Sequence, residues 1–314
     1  MTIKLDVHKV KWAGDRKDQV IDWGIKTLNV YDVWKESKGE GVKVAILDTG
    51  CIQHPDLTEN LKGGANFTSD DANDYEDRAG HGTHVAGIVA ATDNAFGVVG
   101  VAPKAHVYAV KVLGDNGSGS YEMIAKGIDW AIENEMDIIS MSLGSNYDSP
   151  VLHEAVKRAY AKNITIVAAA GNDGDTYDDN DIDYPGRYEE VICVGAIDKH
   201  LERSWFSSDG DELDIAAPGQ DIYSTHLNNQ YAILSGTSMA TPFITGVLAL
   251  LIAKHKNSDS NNTPVDTPER IREHLLRTAD DAGVVGRDRF YGYGIVNPKK
   301  LLENVDVSQL YVKP

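Results

Sequence analysis

The chain has 314 residues, of which 42% are hydrophobic and 25% charged, so it is long enough to bury a large core without a disulfide or metal staple. Its formal net charge is −18, from 30 basic and 48 acidic residues, which argues against nucleic acid or an anionic membrane as its partner. Two cysteines, Cys51 and Cys193, are too few for a disulfide framework and lack the spacing of a metal site. We expect both to be free thiols, and the closeness of Cys51 to Asp48 leaves open that this thiol lies near a reactive group.

Residues 1–18 are polar, carry scattered charges and lack the apolar segment of a signal peptide. The longest apolar run within a helical pattern, residues 247–253, is too short to span a bilayer. We therefore expect a soluble chain without an export signal. It divides most simply into an N-terminal extension (residues 1–18) and a single domain (residues 19–314).

Strand-like and helix-like patterns alternate from residue 19 onward. Helical spacing at residues 19–34 is followed by the β-branched run 42–47, which is typical of a buried parallel strand. A helix of small residues then ends near Ala91. Further strands are predicted at 105–113, 137–142, 164–170, 191–197 and 213–216, and further helices at 121–135, 151–162, 243–253 and 268–278. This alternation predicts an α/β fold in three layers, with a mostly parallel central sheet and helices on both faces.

Three polar residues lie at the ends of these elements: Asp48 after the first long strand, His81 before a helix and Ser238 before the apolar helix. An acid, a base and a hydroxyl are the groups needed to activate a serine nucleophile. A serine in the first turn of a buried helix also faces unpaired backbone N–H groups and the positive end of the helix dipole. On its own stretch, however, Ser238 fits a helix cap equally well.

The histidines His81 and His84 are spaced i, i+3. A zinc-binding HEXXH helix needs i, i+4 spacing and a glutamate between the histidines, and neither is present. We therefore do not expect zinc, and we interpret His84 as a hydrogen-bonded structural residue.

Three motifs together resemble those of the subtilisin-like serine proteases: residues 44–50 (VAILDTG), 81–87 (HGTHVAG) and 236–242 (GTSMATP). The chain order Asp…His…Ser is that of this family, whereas α/β-hydrolases have the order Ser…acid…His and a GxSxG motif that is absent here. The resemblance covers roughly residues 19–300. It implies a serine endopeptidase with Asp48, His81 and Ser238 as its catalytic triad.

The resemblance also implies how a substrate is held. Asn172 matches the side-chain donor of the oxyanion hole and would act with the backbone N–H of Ser238, although an Asn after a strand is more commonly a turn residue. Two stretches match the edges that bind an extended peptide by strand addition, which makes the substrate a polypeptide. They are Gly117, Ser118 and Gly119, and Ser142, Leu143 and Gly144.

A calcium site is implied by the resemblance alone, since the loop 92–98 would otherwise be interpreted as a turn. The oxygen-only ligand set suits Ca²⁺. Its side-chain ligands are Gln19, Asp56 and Asn94, and its backbone carbonyls come from Thr92, Phe96 and Val98. Two acidic loops, with aspartates at 70, 71, 74 and 77 and at 178, 179 and 181, are interpreted as solvated rather than as further sites.

The chain departs from the family pattern at Asp183, where a small residue is common at the base of the S1 pocket, and Asp173 is acidic as well. We hypothesise that the pocket accepts Lys or Arg at P1, because a buried carboxylate needs a partner. The alternative is that both acids point to solvent. Phe243, where many members have His, is interpreted as a packing change.

Cysteine directly after Asp48-Thr49-Gly50, the acidic surface and the short extension resemble the intracellular branch of the family. That likeness implies a cytoplasmic location, leaves a homodimer open and suggests that residues 1–18 are an inhibitory pro-segment, although residues 4–8 lack the proline expected there. The alternative functions are a catalytically silent peptide-binding module and, from the acidic loops, a calcium-stabilised structural protein.

Overall fold

The computed structural model describes residues 2–5, 11–12, 18–174, 180–256 and 266–303. Its strands are β1 (Thr2–Lys4), β2 (Lys11–Trp12), β3 (Lys43–Asp48), β4 (Leu61–Asn66), β5 (His106–Lys111), β6 (Ser118–Ser120), β7 (Ile138–Met141), β8 (Thr165–Ala169), β9 (Val191–Ile197), β10 (Ile215–Pro218), β11 (Ile222–Thr225) and β12 (Tyr231–Leu234). Its helices are α1 (Trp23–Thr27), α2 (Val30–Val33), α3 (His81–Ala90), α4 (Tyr121–Glu133), α5 (Pro150–Ala161), α6 (Thr237–Lys256), α7 (Pro268–Arg277) and α8 (Pro298–Leu302).

A seven-stranded sheet in the order β10-β9-β8-β7-β3-β5-β4 forms the centre of the molecule, and every neighbouring pair of strands is parallel. The chain leaves β3 toward β5 on one side and returns to β7 on the other, so the strand order reverses at β3. In open α/β sheets, ligands bind at the carboxyl ends of the strands at such a point. Asp48 is the last residue of β3.

Helices cover both faces of this sheet. The helices α3 and α6 pack on one face, and α4 and α5 pack on the other, each with its own buried apolar cluster. The predicted three-layer α/β fold is therefore confirmed. A capping hydroxyl, from Ser149 and from Thr267, followed by a proline begins α5 and α7.

Helix α6 is buried along its whole length from Thr237 to Ala253. By length and composition it is apolar enough to cross a membrane, but 94% of its most apolar 18-residue window is buried inside the protein. A helix that is hydrophobic all round and enclosed in this way is the core helix of a large domain. It begins six residues earlier than the predicted segment 243–253, since Pro242 is tolerated near the helix start.

Several elements escaped the sequence patterns. Residues 19–34 form two short helices rather than one, because Asn29 adopts a left-handed conformation between them. The strand β4 contains two glycines, and the second is required for packing: a Cβ on Gly64 would lie 2.0 Å from the carbonyl oxygen of Ala109. Glycine pairs weaken a strand pattern, which is why β4 was not predicted.

Candidate active site

The strand β3 and the helix α3 bring a carboxylate and an imidazole together. Asp48 ends β3, His81 begins α3, and His81 Nδ1 lies 2.7 Å from Asp48 Oδ1. Asp48 is fully buried and His81 is 5% exposed. The backbone N–H of Thr49 also donates to Asp48 Oδ1. Because Asp48 accepts the Nδ1 proton, the lone pair of the neutral ring lies on Nε2, which has no hydrogen-bond partner among the described residues.

A close contact of β3 with α3 makes this pairing possible. A Cβ on Gly82 would lie 2.1 Å from the carbonyl oxygen of Gly50, so only glycine allows the first turn of α3 to approach the end of β3. Close packing of α3 on the end of β3 therefore requires a glycine between His81 and Thr83.

A second carboxylate, Asp77, ties the same two elements together, and the sequence pattern missed it. One of its oxygens accepts from the hydroxyl of Thr49 and the backbone N–H groups of Ala79 and Gly80. The other accepts from both the N–H and the hydroxyl of Thr83. Asp77 is only 2% exposed, so its interpretation as part of a solvated acidic loop was wrong. A capping carboxylate before a helix was the sequence signal that could have identified it.

The pKa of His81 reflects both carboxylates. Burial lowers it, but the charges of Asp48 and Asp77 and the hydrogen bond with Asp48 together outweigh burial. The pKa of His81 therefore lies above its ordinary value of 6.5. A buried imidazolium beside two anions is the state that this arrangement stabilises.

The nearby side chains of His84 and Cys51 are both held in their uncharged forms, unlike His81. Burial lowers the pKa of His84 to about 3, and its Nε2 lies 3.1 Å from the carbonyl oxygens of Ile222 and Ala232, so it is the structural histidine that the sequence predicted. Cys51 and Cys193 are free buried thiols, as expected. Burial, followed by the charge of Asp77, raises the pKa of Cys51, which leaves this thiol protonated and unreactive.

Ser238 and Asn172 meet at the start of α6. The side-chain oxygen of Asn172 accepts from the backbone N–H of Thr237 at 2.9 Å, which fixes the side chain beside the nucleophile turn. A Cβ placed on Gly236 would lie 3.6 Å from both Asn172 Nδ2 and the backbone nitrogen of Ser238. The two expected oxyanion donors therefore both lie beside Gly236. The hydroxyl of Ser238 donates to the carbonyl of Ser142 at 3.2 Å.

A cavity of about 260 Å³ opens beside Ser238. The carboxylate of Asp183 packs against Gly144 and Gly171, because a Cβ on either glycine would lie 2.4 or 3.0 Å from Asp183 Oδ2. The cavity is lined by Thr2, Leu5, residues 142–147, Ala169, residues 171–173, Asp183, Thr237 and Ser238. The structure therefore brings the expected edge residues 142–144 and both acids, Asp173 and Asp183, to one pocket.

The other expected substrate edge is already paired. Strand β1 lies antiparallel to β6, with Ile3 opposite Gly119 and Lys4 opposite Ser118. The backbone N–H of Leu5 donates to the carbonyl of Gly117 at 2.9 Å. The start of the N-terminal extension thus occupies residues 117–119 and contributes to the cavity wall, while residues 6–10 and 13–17 lie outside the described part of the chain.

The expected calcium ligands also come together. Asp56 is fully buried and accepts from the side-chain amide of Asn94 at 2.9 Å and from the backbone N–H of Val98 at 2.8 Å. The side-chain amide of Gln19 donates to the carbonyl of Thr92 at 3.0 Å. Phe96 follows in the same loop, and its backbone N–H donates to the side-chain oxygen of Asn94.

Within the described ranges, no group of three or more His, Cys, Asp or Glu side chains is placed to hold a metal ion. The calcium set has only one carboxylate, so this finding does not bear on it. Of the second acidic loop, residues 178 and 179 lie outside the described residues. Asp181 accepts from the backbone N–H of Asp209 at 2.7 Å.

The electrostatic role of Asp77 can be measured directly. We expect Asp77→Asn to lower the pKa of His81, because removing a negative charge destabilises the imidazolium and the ring then loses its proton at a lower pH. A pH titration of the histidine ring resonances by NMR reads this pKa. Asp74→Asn, which removes an exposed carboxylate from the same segment, is the matched control and should leave it unchanged. An unchanged or higher pKa of His81 in Asp77→Asn would contradict the account.

Comparisons with known proteins show which family the chain belongs to. The sequence matches the model of the subtilase family over residues 39–294. It is 48% identical to the intracellular serine protease of Paenibacillus polymyxa over 280 residues, which is 87% of this chain and 85% of that protein. It is 44% identical to subtilisin DY of Bacillus licheniformis (89% and 97% covered) and 42% identical to subtilisin E of Bacillus subtilis (89% and 70% covered). The chain belongs to the subtilase family of serine proteases.

Proposed function

We propose that the chain is a serine endopeptidase in which Asp48, His81 and Ser238 form the catalytic triad. The observation that carries the proposal is the buried Asp48–His81 hydrogen bond of 2.7 Å, which leaves Nε2 as the basic atom of the ring. A catalytically silent module would not need a buried imidazole that a carboxylate holds in one orientation. A purely structural calcium protein would not need it either.

The proposed chemistry follows from these positions. His81 Nε2 takes the proton of the Ser238 hydroxyl as Oγ attacks the peptide carbonyl, and Asp48 stabilises the imidazolium that forms. His81 then gives the proton to the leaving amine, the acyl group remains on Ser238 Oγ, and water releases it by the same route in reverse. In the free structure the hydroxyl faces the carbonyl of Ser142, so rotation of the Ser238 side chain toward the imidazole precedes attack.

Negative charge on the attacked carbonyl oxygen would be stabilised by Asn172 Nδ2 and the backbone N–H of Ser238. We expect Asn172→Ala to lower kcat by about 10²–10³ with little change in KM, the size of effect already measured for this donor in the subtilisin family. Steady-state kinetics on a peptide anilide reads both constants, and the unfolding midpoint controls for lost structure. A loss that resides in KM, or one below about threefold, would remove Asn172 from the oxyanion hole.

Labelling with a serine-directed phosphonate distinguishes an active enzyme from a catalytically silent module. We expect the proposed enzyme to be labelled at Ser238, and peptide mapping by mass spectrometry locates the label. A silent module would not be labelled at this residue.

We also propose that the pocket accepts a basic P1 side chain, since Asp183 packs into its wall beside Gly144. Removing a charged hydrogen-bond partner costs about 1.5–3 kcal/mol, so Asp183→Asn should lower kcat/KM for Arg and Lys substrates roughly tenfold or more relative to Leu. The same measurement on Asp173→Asn shows which of the two carboxylates is responsible for the preference for a basic P1 side chain. A panel of peptides that differ only at P1 reads the ratio, and a wild-type preference for Phe or Leu over Arg would end the proposal.

A calcium ion is proposed at Gln19, Asp56 and Asn94, with the carbonyls of Thr92, Phe96 and Val98. The residues fit by type, because each can offer a hard oxygen ligand. Asp56 is a buried carboxylate that accepts from the amide of Asn94, the N–H of Val98 and the hydroxyl of Tyr231, and no Lys or Arg of the described residues pairs with it. When bound, the ion would supply the missing positive charge and hold residue 19 against the loop 92–98.

Calcium should therefore stabilise the fold. We expect Ca²⁺ at about 100 times its Kd to add about 2.7 kcal/mol to the free energy of unfolding, and this gain should vanish in Asp56→Asn. Thermal unfolding of protein inactivated by the phosphonate, with and without Ca²⁺, measures it. Asp93→Asn, an exposed acid of the same loop, should keep the gain. Equal gains in all three proteins would place the ion elsewhere.

The extension is proposed to be an inhibitory pro-segment. Its β1 occupies the substrate edge 117–119, and Ile3 is fully buried in the apolar cluster that also contains Tyr121 and Leu143. A peptide substrate needs the same backbone groups for strand addition.

Deleting residues 1–18 should raise peptidase activity, and a synthetic peptide of residues 1–18 added to the truncated protein should lower it competitively. Ile3→Asp in the full chain should also raise activity, because a buried charge weakens the docked segment. Asp18→Asn, at an exposed position, is its control. If deletion of residues 1–18 leaves peptidase activity unchanged, the extension is not inhibitory.

A cytoplasmic location is proposed from likeness to the intracellular relative alone, and a homodimer stays an open expectation of the family resemblance. The net charge of −18 supports polypeptides rather than nucleic acid or an anionic membrane as partners.

A further inference from the structure

Helix α6 contains a proline one turn after its serine. In an α-helix, the carbonyl of residue i accepts from the N–H of residue i+4, so the carbonyl of Ser238 would be served by residue 242. That residue is Pro242, which has no N–H. The peptide that follows the serine therefore lacks its ordinary helical hydrogen bond, at the point where the position of the serine matters most.

A side chain from the sheet supplies the missing donor. Ser142 is 1% exposed and directly follows β7, and its hydroxyl donates to the carbonyl of Ser238 at 2.8 Å. In return, the carbonyl of Ser142 accepts from the hydroxyl of Ser238 at 3.2 Å. The two serines are thus joined by a reciprocal pair of hydrogen bonds between the substrate edge and the start of α6.

We infer that the Ser142 side chain is a positioning residue for Ser238: its hydroxyl replaces the N–H that Pro242 lacks and fixes the backbone from which Oγ and the oxyanion N–H project. The inference deepens the proposed function and rests on Ser238 being the nucleophile. It concerns the hydroxyl of Ser142, whereas the substrate contacts expected of residues 142–144 use the backbone.

The compensation between Ser142 and Pro242 makes the inference testable by a double variant. Ser142→Ala should lower kcat about three- to tenfold with KM nearly unchanged, which corresponds to one net hydrogen bond. In the Pro242→Ala background, residue 242 has an N–H that can serve the carbonyl of Ser238. There, adding Ser142→Ala should change kcat less than twofold.

A matched control lies two residues along the chain on the same interface. Ser140 in β7 is fully buried, and its hydroxyl lies 3.0 Å from that of Thr245 in α6, about two helical turns after Ser238. Ser140→Ala removes an equivalent buried hydrogen bond between strand and helix. It should lower the unfolding midpoint in both backgrounds while leaving kcat within twofold.

Six kcat values, from the unaltered protein, Pro242→Ala, and Ser142→Ala and Ser140→Ala in each of these two backgrounds, decide the matter together with the phosphonate labelling of each protein. An equal loss of kcat from Ser142→Ala in both backgrounds, or an equal loss from Ser140→Ala, would overturn the inference. If Ser142→Ala alone does not fold, the comparison of Ser142→Ala/Pro242→Ala with Pro242→Ala still decides, because a lower kcat in the double variant contradicts it. Absence of labelling at Ser238 in the unaltered protein would instead refute the proposed function itself.

Discussion

The buried hydrogen bond between Asp48 and His81 is the constraint on which the rest of the active site depends. It requires the end of a central strand and the start of a helix to lie within contact, and the chain meets this requirement through Gly82 and the carboxylate of Asp77. Two buried anions beside one imidazole would be costly if the ring stayed neutral. They are stabilising when the ring becomes positive, which is the state that the proposed acyl transfer needs.

Different elements supply the remaining parts of the candidate site. The sheet supplies Asn172 after β8 and Ser142 after β7, and the core helix α6 supplies Ser238. Because α6 is buried along nearly its whole length, core packing anchors its first turn. The hydroxyl of Ser142 donates to the carbonyl of Ser238, and the side-chain oxygen of Asn172 accepts from the N–H of Thr237. The same helix thus belongs to both the hydrophobic core and the candidate site. Strand β1 of the N-terminal extension pairs with residues 118–120 at the other substrate edge.

Much of this was readable from the sequence, because it depends on residue type and order along the chain. The strand ending at Asp48, the helix starting at His81 and the seven-residue stretch around Ser238 predicted the parallel sheet, the family and the pairing of Asp48 with His81. What could not be read depends on contacts between distant segments. The pairing of β1 with β6 joins residues more than a hundred positions apart, and the burial of Asp77 depends on its contact with Thr49, although its place before α3 is visible in the sequence. The role of the Ser142 hydroxyl likewise depends on Pro242, which is a hundred residues away in the sequence and leaves the carbonyl of Ser238 without a helical donor.

The central claim is that Ser238 and His81 act as one catalytic unit held by Asp48. The most direct test compares kcat for Ser238→Ala, His81→Ala and the double variant on one peptide substrate. Residues that work as a unit are not additive, since losing either one already abolishes proton transfer from the nucleophile. The account predicts that the double variant retains the same residual kcat as either single variant, and a further large loss in the double variant would contradict it.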